Sequence, residues 1–192
     1  MWNYLWGTNT NISTVATSLD ISVSVAESVT AGAVCNSICS EPGASGYFKG
    51  GITAYSIASK KEILGIDTSF AEANNFANPL TTIEMAKAIV KMFKSRYGIS
   101  TTGYSLPHYR PENKERGECE LRIDVPYAYI CIYDACTDKS IVIKKEFDYN
   151  PKSNKSVQRA KMQAGVAIFA TKMYEEQVRE AKELFEKKQL KK

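Results

Sequence analysis

Apolar and polar positions along the chain alternate between strand-like and helix-like periods. Residues 23–27 form an apolar run that breaks at Glu27-Ser28-Val29-Thr30-Ala31-Gly32, and a helical spacing then takes over through Ala33, Ser37 and Ile38. This is a strand, a tight turn and a helix start. A second break at residues 41–46 leads into Tyr47-Phe48 and the β-rich residues 51–55, followed by Ser56 and a short helical pattern that carries Lys60 and Lys61. Ahead of this unit, residues 9–19 carry capping residues and then Val15, Ala16 and Leu19, which predicts a short leading helix.

The later half follows the same logic. Residues 67–79 read as a polar connection, and Thr81-Thr82-Ile83-Glu84 as a capping box opening a helix whose stripe of Ile83, Ala86, Ile89, Val90, Phe93 and Tyr97 predicts an end at Gly98. Residues 99–105 predict a strand. Residues 106–122 are dense in charge, and with no apolar face to bury they predict a flexible loop. Residues 125–133 and 141–147 alternate around a turn at Thr137-Asp138-Lys139, predicting a hairpin, and a long helix is expected over about 153–187. The fold class expected is α/β, a three-layer α/β/α arrangement with a mixed central sheet and helices on both faces.

Length and composition narrow this picture. At 192 residues the chain suits one well-buried core, so a single domain over 1–192 is expected. The net charge of +4 includes the closing Lys191-Lys192 and gives only a mild bias towards anionic ligands, not a nucleic-acid surface. Five cysteines without a C-x-x-C pair and a single histidine, His108, argue against a disulfide framework or a zinc site, and favour a reduced, cytoplasmic compartment. Cys35 and Cys39, four apart, read as buried small apolar residues. The opening Met1-Trp2-Asn3-Tyr4-Leu5-Trp6-Gly7 has neither a positive n-region nor a long apolar run, so it is expected to be mature protein with no membrane span.

The chemistry-bearing residues concentrate in 23–65. Small residues at a strand-to-helix turn let backbone N–H groups approach a phosphate or carbonyl, with the helix N-terminus adding partial positive charge. The alternative is structural: Ser28 or Thr30 caps the helix, Lys60 lies on a solvated face, and Tyr55 packs its ring on a strand.

Three motifs stand in register here. They are Ala26-Glu27-Ser28-Val29-Thr30-Ala31-Gly32, then Pro42-Gly43-Ala44-Ser45, then Gly50-Gly51-Ile52-Thr53-Ala54-Tyr55-Ser56 with Lys60 and Leu64-Gly65. Together they resemble the CinA C-terminal-domain family and its PncC-type nicotinamide mononucleotide deamidases, whose motifs read AESCTGG, PGSS and GGVVAYSNEAKxxLLGV. The resemblance implies hydrolysis of a nicotinamide carboxamide, with Ser28 as nucleophile, Lys60 as neutral base, its pKa lowered beside a second cation such as Lys61, and Tyr55 as proton relay or orienter. Ser45 is the alternative nucleophile. The resemblance also implies substrate contacts from Thr30, Gly32, Ser45, Thr102, Gly103 and Arg159, a small-molecule nucleotide as ligand, a homo-oligomer, and neither cofactor nor metal.

The chain departs from the family pattern elsewhere. Tyr104-Ser105-Leu106-Pro107 replaces the small residues of TGIAGP, Asn75 to Pro79 stands in place of GAVS, Ala128 replaces a glycine, and Asn154 to Arg159 lacks the spacing of GDRxxxR. Three readings follow: a deamidase with a rebuilt pocket, an amidohydrolase of another substrate, or a CinA-like domain that binds a ligand or protein without turnover.

Overall fold

The computed structural model describes residues 12–67, 75–116 and 118–190. Helix α1 (Ile12–Ser18) leads into strand β1 (Val23–Glu27), helix α2 (Ala33–Cys39), a 3-10 turn (Ala44–Gly46), strand β2 (Phe48–Thr53) and helix α3 (Ile57–Glu62). Helix α4 (Pro79–Phe93) and strand β3 (Tyr97–Tyr104) follow, then the short strands β4 (His108–Arg110) and β5 (Leu121–Ile123). The hairpin β6 (Tyr127–Asp134) and β7 (Lys139–Glu146) precedes the long helix α5 (Lys155–Gln189). Five strands share one sheet in the order β2-β1-β3-β6-β7, with β1 parallel to both neighbours and β6 antiparallel to β3 and β7. The predicted mixed α/β sheet is therefore present.

Alternating side chains of β1 feed two cores. Val23 and Val25 face Ile38, Val166, Ala170 and Tyr174 from α2 and α5, whereas Ala26 packs with Met85 and Ile89 of α4 on the other face. Complete burial of β1 explains why it reads as a continuous apolar run.

The first turn is organised by Glu27, which is completely buried. Its Oε2 accepts the Gly32 and Val34 amides at 2.8 and 3.1 Å, and its Oε1 accepts the Cys35 amide at 2.8 Å. Helix α2 is thus capped by a carboxylate on the preceding strand, which also compensates the helix dipole. Neither Ser28 nor Thr30 is the cap; Gly32 takes that position with φ 100° and no side-chain bond. Cys35 lies half-buried beside this carboxylate, where burial and then Glu27 push its thiol well above the ordinary range, while Cys39 is exposed rather than buried.

Several expectations need correction. Helix α4 opens at Pro79, with Asn78 Oδ1 accepting the Thr81 amide at 2.9 Å, so the cap is Asn78 and not the Thr81 box. It ends at Phe93 because Lys94 turns left-handed, φ 53°, and Tyr97 instead begins β3, its amide bonded to Ser22 O. Strand β2 stops at Thr53, leaving Tyr55 in the loop before α3. The charged segment 106–122 is not structureless: β4 and β5 pair antiparallel, His108 opposite Ile123, and Ile123 packs with Ala77 and Tyr127. Leu121 within it and Ile123 just after it supply the anchor that the dense charge concealed. The aromatic opening, residues 1–7, lies outside the described residues.

Glu27→Gln keeps the shape of the cap but turns one acceptor into a donor facing amide N–H groups. We expect it to lower stability by about 3 kcal/mol, read from the midpoint of chemical denaturation at constant slope; an unchanged midpoint would show that these amides find partners without the carboxylate.

Candidate active site

The C-terminal ends of the three mutually parallel strands β2, β1 and β3 lie on one edge of the sheet, where open α/β folds place ligands. A cleft of about 460 Å³ opens there, a size suited to a small-molecule ligand. Ser28 follows β1, Tyr55 and Lys60 follow β2, Thr102 to Ser105 end β3, and Arg159 enters from the first turns of α5.

Lys60 sits on the inward face of α3. That helix is fixed by a reciprocal cap, Ser56 Oγ accepting the Ser59 amide and Ser59 Oγ accepting the Ser56 amide, both at 3.0 Å. Only 3% of Lys60 is exposed. Its Nζ donates to Ala54 O at 2.7 Å and Tyr55 O at 3.2 Å, and stands 3.0 Å from Ser28 Oγ. Burial pulls the amine down from 10.5 to about 8. The expected second cation plays no part, since Lys61 is exposed and desolvation alone accounts for the shift.

The two carbonyls also orient the amine. A neutral lysine has two N–H bonds and one lone pair; with the hydrogens committed to Ala54 and Tyr55, the lone pair is left for the Ser28 hydroxyl. Ser28 is itself 8% exposed, at the floor of the cleft, and Gln163 of α5 holds the next residue by donating to Val29 O at 2.9 Å.

Tyr55 meets Lys60 through its main-chain oxygen. Its hydroxyl instead bonds Arg159 Nη2, and the guanidinium lies 5.9 Å from the ring centroid. It therefore orients Arg159 in this arrangement rather than relaying a proton to Ser28.

Six of the nine expected site residues line the cleft: Ser28, Tyr55, Lys60, Thr102, Gly103 and Arg159. Three do not. Thr30 is 2% exposed and spends its hydroxyl on Thr101 Oγ1 at 2.6 Å, tying the first turn to β3. Gly32 gives its amide to Glu27, so the α2 N-terminus is already occupied by a carboxylate. Ser45 lies in the 3-10 turn before β2, at the N-terminal end of the strands and away from Ser28 in the same chain. Gly103 has a packing role as well: a Cβ there would collide with Tyr127 O on β6.

The sequence reading missed the cleft's outer wall. Tyr104 and His108 stack with centroids 5.3 Å apart, and both line the cleft with Leu106, Pro107 and Phe76. The signal was present in the residues that replace TGIAGP, but their convergence depends on where β4, paired with β5, carries His108. Among the described residues no Asp or Glu lines the cleft, while Lys60 and Arg159 do.

Comparison with known proteins bears on the family and the fold. Over 151 residues the chain is 32% identical to a CinA-like protein of Flavobacterium psychrophilum, covering 78% of this chain and 32% of that protein. A CinA-like protein of Amoebophilus asiaticus is 37% identical over 109 residues, 54% of this chain and 26% of its own length. The chain thus matches about a third or less of each of these curated relatives. In fold it is similar to a CinA superfamily protein from Klebsiella pneumoniae, with TM-score 0.65 and 15% identity over 89% of this chain and 95% of that one. A competence or damage-inducible protein from Enterobacter asburiae gives TM-score 0.65 and 18% identity over 88% and 94% of the two chains. The family model for the CinA C-terminal domain matches residues 8–178, and the chain belongs to that family.

Proposed function

We propose that the protein is an amidohydrolase that deamidates nicotinamide mononucleotide or a closely related aromatic amide. The observation that carries this reading is the buried Lys60 amine, 3.0 Å from Ser28 Oγ, with two carbonyls fixing its remaining hydrogens. An amine lowered to about 8 is partly neutral near pH 7, and can take the hydroxyl proton as Oγ attacks the carboxamide carbon. The resulting ammonium lies beside the developing negative charge. It then returns the proton to the departing nitrogen, releasing ammonia and leaving an acyl-serine that water hydrolyses.

The substrate class follows from the walls. Tyr104, His108 and Phe76 offer flat surfaces for a planar ring, and Arg159, held by Tyr55, offers a charged fork to an anionic group in a cleft lined by no carboxylate among the described residues. Thr102, 3% exposed at the end of β3, supplies a further hydroxyl. Neither a metal nor a redox cofactor enters these steps.

Incubation with nicotinamide mononucleotide and a panel of aromatic amides, with ammonia as the readout, tests this reading. Ser28→Ala and Lys60→Met are each expected to lower kcat by about 10²- to 10⁴-fold without loss of fold, and the double variant little further, because the two groups act as one unit. Arg159→Ala is expected to act mainly on KM for phosphorylated substrates. Since the reactive form is the free amine, kcat/KM should rise with pH through about 8 and then level. Ligand binding without ammonia release from any amide would reject the enzyme in favour of a binding module.

A further inference from the structure

The segment 75–78, which leads into α4, is knotted by its own polar groups. Asn75 Oδ1 accepts the Ala77 amide at 2.9 Å, Asn78 Nδ2 donates to Asn75 O at 2.7 Å, and Asn78 Oδ1 caps α4. Tyr127, the first residue of β6, closes the knot: its hydroxyl accepts from Asn75 Nδ2 at 2.8 Å and donates to Ala77 O at 3.1 Å. The Tyr127 ring is held in turn, edge-on to Tyr129 at 5.6 Å between centroids, with the Lys144 amine 4.7 Å from its own centroid. Phe76 therefore has a bonded neighbour on either side. Its ring lies over the Lys60 amine, the centroid 6.0 Å from Nζ.

We propose that Phe76, positioned by Tyr127, is the cover that keeps water off the Lys60 amine and so keeps it usable as a base near neutral pH. This rests on the amidohydrolase reading and adds to it what governs the base. The groups that bond Nζ, the Ala54 and Tyr55 carbonyls and Ser28 Oγ, are all polar, so an apolar cover has to come from another side. At 6.0 Å the ring is at the outer reach of attraction to a cation, which would favour the ammonium. Exclusion of water acts the other way, and the amine does lie low, at about 8, with burial as the cause. Arg159 of α5, His108 of β4 and the phenols of Tyr55 and Tyr104 share the cleft with it, and no Asp or Glu lines the cleft among the described residues. Glu27 of β1 is taken up by the α2 amides, and Lys61 and Glu62, next on α3, are exposed. Tyr127 is not a lining residue, so it acts through its neighbours and not on a ligand. Its ring contact with Tyr104, 5.9 Å between centroids, survives Tyr127→Phe, which removes only the two hydroxyl bonds to the knot.

Lysine isotope-labelled at Cε lets the Lys60 amine be titrated by nuclear magnetic resonance in the full chain, its signal identified by its loss in Lys60→Met. The wild-type midpoint is expected at about 8. Phe76→Ala should raise it by at least about one pH unit and so cut the free-amine fraction at neutral pH about tenfold. Phe76→Leu, which leaves an apolar cover, should hold the wild-type midpoint, and Tyr127→Phe should raise it by about half a unit or more. The pH profile of kcat/KM should move to the alkaline side by the same amounts. A midpoint that stays put in Phe76→Ala, or rises as far in Phe76→Leu, would overturn the proposal; should Phe76→Ala fail to fold, Tyr127→Phe decides in the same way. Midpoints that move as expected in a protein that releases no ammonia would uphold the cover and reject the amidohydrolase.

Discussion

The buried carboxylate of Glu27 is the constraint from which the site follows. A charge taken wholly out of water persists only when its oxygens are satisfied, and three amides of α2 satisfy them. This bond set fixes the chain direction between β1 and α2, and so fixes the turn that carries Ser28 and Thr30. It also consumes the N-terminus of α2. Among the described residues that line the cleft, Lys60 and Arg159 supply positive side chains for a ligand.

A second constraint acts on Lys60. Burying an amine penalises its charged form, and the two carbonyls at the end of β2 limit the penalty without adding a counter-charge. An aspartate in their place would have held the amine protonated. The geometry that weakens the fold locally is thus the one that makes the lysine usable as a base, a trade between stability and activity familiar at catalytic sites.

Much of the fold was legible because β1 reads as a mostly apolar run and residues 99–105 of the β3 region as strand-forming, while α5 keeps one stripe over many turns. Less legible were features set by single contacts. Asn78 outcompeted the Thr81 box because Pro79 pre-sets the first helical turn, and Lys94 ended α4 by adopting a left-handed backbone that no pattern announces. Within the site, Ser28 and Lys60 were readable from the motifs in register. The hydroxyl of Thr30 and the amide of Gly32 were misread because an unpaired sequence cannot show which polar groups are already spent on Thr101 and Glu27. The wall of Tyr104 and His108 depends on a hairpin whose anchors, Leu121 and Ile123, are hidden among charges.

The central claim is that Lys60, as a free amine, activates Ser28. Its most direct measurement is the rate at which an activated phosphonate ester labels the protein, followed across pH, with the modified residue mapped by mass spectrometry. Labelling is expected at Ser28, with a rate that climbs through about pH 8 and a loss of that dependence in Lys60→Met. Modification at Ser45, or a rate at Ser28 that is the same with and without the lysine, would contradict it.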